Sequence, residues 1–243
     1  MTVSGGPPPL PRLPSPSWPV TTTAHKVPAG GPRGAGGGPS GPGAGSTAGL
    51  GATVTVWRQL TAGLGYAWAD SFPGGTSQEQ AGVLVQKADG TLAWRRVIDG
   101  VSGTLTGGTA SFDYAKLVAP GEKLLAAAHT HPYDASEGGH KDVSFSGADL
   151  ARMTSVPEPQ HYMRAGDSLF MIAKTPEFEK LVTITGEAKL NGEMNKTWND
   201  TFTAGTGTIQ ERSDAATKAV CHQYHLDYYK GTGETVSKVD TAK

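Results

Sequence analysis

Residues 124–132 read Leu-Leu-Ala-Ala-Ala-His-Thr-His-Pro. The apolar run 124–128 has the length of a buried strand. Side chains on a strand alternate between its two faces, so His129 and His131 point the same way. Asp149 lies 18 residues beyond His131, and three beyond Ser146. Two imidazoles and one carboxylate, with a fourth position left to water, form the donor set of a catalytic zinc site.

The surroundings supply a sheet for that strand. Residues 82–87 (Gly-Val-Leu-Val-Gln-Lys) read as a buried strand, Ala88-Asp89-Gly90 as a hairpin turn and 91–98 as the return strand. Upstream, 53–60 are β-branched enough for a strand, the alternative being that they lead into a helix over 59–72, a helix weakened by Gly63 and Gly65. Residues 71–76 read as a turn, and 99–110, rich in Gly, Thr and Ser, as a connecting loop. Downstream, a short helix is expected from Ser146 to Met153, and a hairpin from strands 162–164 and 168–173 around Ala165-Gly166-Asp167. Residues 181–185 read as one more strand. Apolar residues at near-helical spacing over 209–229 predict a C-terminal helix packed on the sheet. The expected fold is an α/β or α+β domain with one central sheet, over residues 53–243.

Residues 1–52 differ in kind. The first 50 hold 11 Pro and 12 Gly, no acidic residue, and the three basic residues Arg12, Lys26 and Arg33. Such a segment buries too little apolar surface to offset the entropy of ordering, so a disordered tail and linker are expected, serving as a tether. Its Pro-rich part favours extended geometry of the kind SH3-like modules bind; residues 20–27 form a short less biased island. The net charge of −1 and pI near 6.7 give no electrostatic case for nucleic acid. No apolar run reaches membrane-spanning length. The N-terminus shows neither the basic nor the apolar region of a secretory signal, so residence in the producer's cytoplasm, or export as an effector without such a signal, is expected. The single Cys221 cannot form an internal disulfide and reads as a buried helix residue.

His-Thr-His-Pro followed by Phe-Ser-Gly-x-Asp, with Glu79-Gln-Ala-Gly at the entry of the preceding strand, resembles the signature of the JAB/MPN (JAMM) metalloproteases. The likeness covers about residues 58–175 and is greatest to the DUF4329 JAB-like domain of bacterial Rhs and other polymorphic toxins. It implies a cytidine deaminase-like mixed sheet flanked by helices. By the same resemblance His129, His131 and Asp149 would bind zinc, Glu79 would be the general base for the attacking water, and Ser146 would donate to the oxyanion. Pro132 would end the strand. The implied activity is zinc-dependent cleavage of a peptide or isopeptide bond in a toxin or effector, with a protein or peptide as substrate and an immunity or delivery partner. The substrate is expected to lie as an extended strand beside the histidine strand.

The interval from His131 to Asp149 is longer than is usual in that family. The additional residues, about 133–144 and including His140 and Asp142, suggest a flap over the site. Asp142 is a rival ligand because its spacing from His131 suits the shorter loop; Asp149 is preferred because Ser146 precedes it at a helix start. Ser146-x-x-Asp149 is equally a helix-capping pattern without chemistry. His161 and His222 read as structural, His225 as part of an aromatic cluster with Tyr224, Tyr228 and Tyr229 on the terminal helix, and Asp113 and Tyr114 carry nothing specific. Two other functions fit the same residues: a non-catalytic JAB-fold scaffold or binding module, and an endopeptidase acting on peptidoglycan stem peptides, as in phage tails.

Overall fold

The structure, a computed structural model, describes residues 50–73, 76–106, 109–132 and 140–242. Nearly all of the expected tail lies outside the described residues, as do 133–139 of the long loop. The rest is a mixed α/β domain in the order β1 (Thr53–Thr55), α1 (Arg58–Ala69), β2 (Ala81–Gln86), β3 (Leu92–Arg96), β4 (Gly103–Thr106), β5 (Thr109–Phe112), α2 (Tyr114–Leu117), β6 (Lys123–Thr130), α3 (Gly147–Arg152), β7 (Gln160–Ala165), β8 (Ser168–Ala173), α4 (Pro176–Thr185), α5 (Glu187–Ala204), α6 (Ile209–Tyr224), β9 (Asp227–Thr232) and β10 (Thr235–Lys238).

Eight strands form one sheet in the order β1-β10-β9-β8-β7-β6-β2-β3. All neighbours pair antiparallel except β6 and β7, which run parallel because α3 crosses between them. Alternation along each strand divides the core. Ala126, Ala128, Tyr162, Met171 and Tyr229 face α1, which contributes Leu60 and Leu64. Met163, Phe170, Ile172 and Tyr228 face the other way, toward Leu150 of α3, Phe178 of α4, Leu190 of α5 and Val220 of α6. On that second face the β2 end is covered by different material, since Ala81, Val83 and Ala127 pack with Leu105 of β4 and Leu117 of α2. The histidines lie on this face, where the two coverings meet.

The hairpin of β2 and β3 and that of β7 and β8 form as expected. Three expectations are corrected, and one helix is unannounced. Residues 99–110 are no simple loop, because β4 and β5 pair as a small separate hairpin; its Thr-rich strands carry β propensity that the glycines concealed. Residues 181–185 belong to α4 and not to a strand. Thr175 caps that helix, its Oγ1 accepting from Phe178 N at 3.1 Å, and Pro176 and Glu177 fill its first turn; these start signals outweigh the β-branched residues that follow. The whole of α5 carries little sequence signal, because its apolar residues Leu190, Met194, Trp198 and Phe202 form a stripe one side chain wide. Finally, α6 ends at Tyr224 on His225, a left-handed residue at φ 59°, so Tyr228 and Tyr229 are strand residues on opposite faces of β9. Cys221 is buried in α6, and burial pushes its thiol pKa up.

Gly63 does not merely weaken α1. A Cβ there would stand 2.3 Å from the Trp94 ring, and one on Gly82 would stand 2.3 Å from the same ring and 2.6 Å from the Arg95 carbonyl. The indole of β3 is thus seated between a helix glycine and a strand glycine. Gly82→Ala should cost about 1–3 kcal/mol by overpacking, read as a lower urea midpoint. An unchanged midpoint would mean that Trp94 moves aside freely.

Candidate metal centre

β6 carries His129 at its carboxyl end, with His131 just beyond. The strand is held on both sides, by β2 through Ala81 opposite His129 and by β7 through Met163. His131 N donates to Arg164 O at 2.8 Å, which continues the β7 pairing past the strand. β6 therefore has no free edge, and a substrate strand cannot add beside the histidines as expected. Between them Thr130 is fully buried, its hydroxyl 2.8 Å from Ser71 Oγ and accepting from Gln80 N at 3.0 Å. That bond and Thr130 N to Gln80 O at 2.9 Å set the segment before β2 in register, which places Glu79 beside the histidines.

Asp149 arrives from α3. Ser146 caps the helix: its Oγ accepts from Asp149 N at 3.2 Å, while Asp149 Oδ2 accepts from Ser146 N at 2.9 Å and Ser146 Oγ at 2.7 Å. The capping pattern and the site pattern are one structure. Tertiary contacts hold this segment in place. Phe145 O accepts from Trp198 Nε1 at 3.0 Å and Thr217 Oγ1 at 3.2 Å, and Ser144 Oγ lies within 3.0 Å of Ser213 Oγ. Gly147 lets α5 approach, since a Cβ there would lie 2.5 Å from Asn195 Oδ1.

The result is a buried constellation. His129 Nε2 and His131 Nε2 are 3.0 Å apart; Asp149 Oδ1 is 3.4 Å from the first and Oδ2 is 3.3 Å from the second. Glu79 Oε1 lies 3.6 Å from His131 Nε2, and Glu79, His129 and His131 have donor atoms all within 4.8 Å of one another, close enough to hold a metal ion. Ligands 2.0–2.1 Å from a tetrahedral ion stand roughly 3.3–3.4 Å apart, so the spacing of these nitrogens and oxygens fits such an ion. Burial lowers the His129 pKa to about 4, which keeps the imidazole neutral as a metal ligand must be. For Asp149 burial acts to raise the pKa, but the two imidazoles at 3.3–3.4 Å favour the ionised form more strongly and hold the carboxyl well below its usual range.

The constellation borders an open cleft of about 420 Å³, lined by Glu79, Ser146 and Asp149, by Arg152 further along α3, and by Ser111, Phe112 and Tyr114 across from it. β5 pairs only with β4, so this hairpin, unlike β6, has an edge without a strand partner among the described residues.

Asp142 is not in the cluster. It adopts φ 60° and its Oδ1 accepts from Ser168 N at 3.3 Å, at the start of β8. His140 is exposed, and the expected flap falls largely on residues 133–139, outside the described set. Two other readings are corrected. His161 is no isolated core histidine: its Nε2 is 2.7 Å from His129 Nδ1, and its Nδ1 is 3.3 Å from Oε1 of the fully buried Glu158. Tyr114, read as unremarkable, donates to that same oxygen and accepts from Arg152 Nη2 at 2.6 Å. Period-2 alternation puts His161 and Met163 on one face of β7, but only the parallel pairing of β6 with β7 shows that this is the face of His129.

No family model matches the chain, and neither does any curated protein or solved structure. Among the described residues no helix is long and apolar enough to cross a membrane.

Proposed function

We propose that this chain is a JAB/MPN-type zinc metallohydrolase that cleaves a peptide or isopeptide bond. The observation that carries the reading is the buried His129–His131 pair, with Asp149 against both nitrogens and Glu79 alongside at the wall of an open cleft. Two imidazoles and a carboxylate are a zinc donor set, and a second carboxylate is what amide hydrolysis requires in addition. A zinc ion supplies Lewis acidity and lowers the pKa of water to about 7.

The protein groups divide the remaining work. Asp149 is the better ligand of the two carboxylates, because the Ser146 cap fixes its Oδ2 and so orients Oδ1 toward His129. Glu79 stands outside that cap, in reach of His131, and takes the proton from the attacking water before passing it to the leaving nitrogen. Ser146 can donate to the substrate oxyanion only by turning its hydroxyl away from Asp149 Oδ2; the Ser146 N–H then still holds the carboxylate. The free edge of β5 is where an extended peptide would add, since it lines the cleft and β6 does not offer an edge.

Purified protein should carry close to one equivalent of zinc, and chelation should lower its melting temperature. A ligand present at a thousandfold excess over Kd adds about 4 kcal/mol, equivalent to roughly 10 °C for a domain of this size. Protein without metal, whose melting is indifferent to both zinc and chelator, would sink the reading and leave a scaffold.

A further inference from the structure

His129 turns only one nitrogen toward the other donors of the cluster. Nε2 faces His131 and Asp149, while Nδ1 faces inward to His161 Nε2 at 2.7 Å. His161 is 1% exposed and Glu158 0%. Glu158 Oε2 is buried with no hydrogen-bond partner among the described residues, whereas Oε1 takes both His161 Nδ1 and the Tyr114 hydroxyl. A carboxylate so thoroughly desolvated is a costly way to fill a core that apolar side chains would fill more stably. Its cost needs a function, and the chain of contacts leads to His129.

The order of protons along the chain follows from its end. A carboxylate only accepts, so His161 carries its hydrogen on Nδ1 and presents a lone pair on Nε2. His129 then carries its hydrogen on Nδ1, because His161 Nε2 at 2.7 Å is a much closer acceptor than Asp149 Oδ1 at 3.4 Å from Nε2, and the lone pair of Nε2 is left facing His131 and Asp149. One acceptor thus sets two tautomers.

We propose that Glu158 and His161 are positioning residues that lock His129 in its Nδ1–H tautomer and aim Nε2 as a metal donor. Partners behind a ligating imidazole orient the ring and raise its basicity. Tyr114 and Arg152, which line the cleft, steady the far end of the relay, and Arg152 stacks 4.2 Å over the Phe112 ring as it does so. The inference rests on the metal-centre reading above, but the tautomer is a property of the protein without metal.

The test therefore has two parts. In metal-free protein, nitrogen-detected NMR of the imidazoles should show His129 as Nδ1–H. An Nε2–H tautomer there would overturn the relay whatever the protein binds. For zinc affinity, measured by competition with a chromophoric chelator, and for the visible spectrum of the cobalt-loaded form, two variants are compared. His161→Phe should bind zinc 10- to 100-fold more weakly and alter the cobalt bands. His161→Gln can still accept from His129 and donate to Glu158, and should recover most of that loss. Wild-type affinity in His161→Phe, or equal impairment in both variants, would overturn the proposal. A wild-type protein that binds no metal yet shows the Nδ1–H tautomer would refute the metal centre and leave the relay standing.

Discussion

Glu79→Gln is expected to bind zinc as the wild type does and to lower kcat by two to four orders of magnitude on any amide substrate that the wild type cleaves. The substitution is nearly isosteric, but an amide cannot accept the proton of the attacking water, and a positioned general base contributes about 10²–10⁴ in rate. Asp149→Asn should fail differently, losing metal because it weakens the carboxylate between the two imidazoles at 3.3–3.4 Å. The contrast decides between the carboxylates. Glu79 also lies within ligand distance of the histidines, so a Glu79→Gln protein that loses zinc, beside an Asp149→Asn protein that keeps it, would exchange the two roles. Metal analysis and turnover on the same preparations resolve the four outcomes.

Phe145→Ala should cost about 3–5 kcal/mol, the usual penalty for emptying an aromatic site in a core, and lower the melting temperature by roughly 10 °C. Phe145 is fully buried, with its ring centroid 6.3 Å from that of His129, 6.1 Å from His161 and 6.5 Å from Phe170. It joins the helical layer to the histidines, and it immediately precedes the Ser146 cap. Zinc affinity should fall with stability, because the cavity releases both the imidazoles and the start of α3. Tyr66→Ala is the control: this ring is 75% exposed, and its removal should change stability by less than about 0.5 kcal/mol. Similar losses from the two substitutions would contradict the burial described for Phe145.

Where local patterns were strong, they were legible. The buried run before His129, the Ala88-Asp89-Gly90 turn and the Ser146 cap each depend on neighbours within a few residues, and each is found as read. The errors have equally local causes. Val182, Ile184 and their neighbours suggested a strand although Thr175-Pro176-Glu177 starts a helix, and the narrow stripe of α5 gave too little periodicity to notice. Both segments belong to the helical layer over the site, so the local sequence signals Asp149 itself but not the means by which it is held. Trp198 on α5 and Thr217 on α6 grip Phe145 O across 53 and 72 residues, contacts that no spacing announces.

The same distinction runs through the candidate metal centre. The sequence by itself determined that His129 and His131 share a face and that a capped carboxylate follows, because strand alternation and helix capping act over two to four residues. Which aspartate meets the histidines, that Glu79 stands beside them, and that His161 and Glu158 stand behind them were decided only by the tertiary structure. Those placements depend on the antiparallel register of β2 and the parallel register of β7 against β6, and on helices packed over the sheet. Hydrogen bonding between strands distant in sequence leaves no periodic trace in any one of them, so the relay behind His129 becomes visible only once the strands lie side by side.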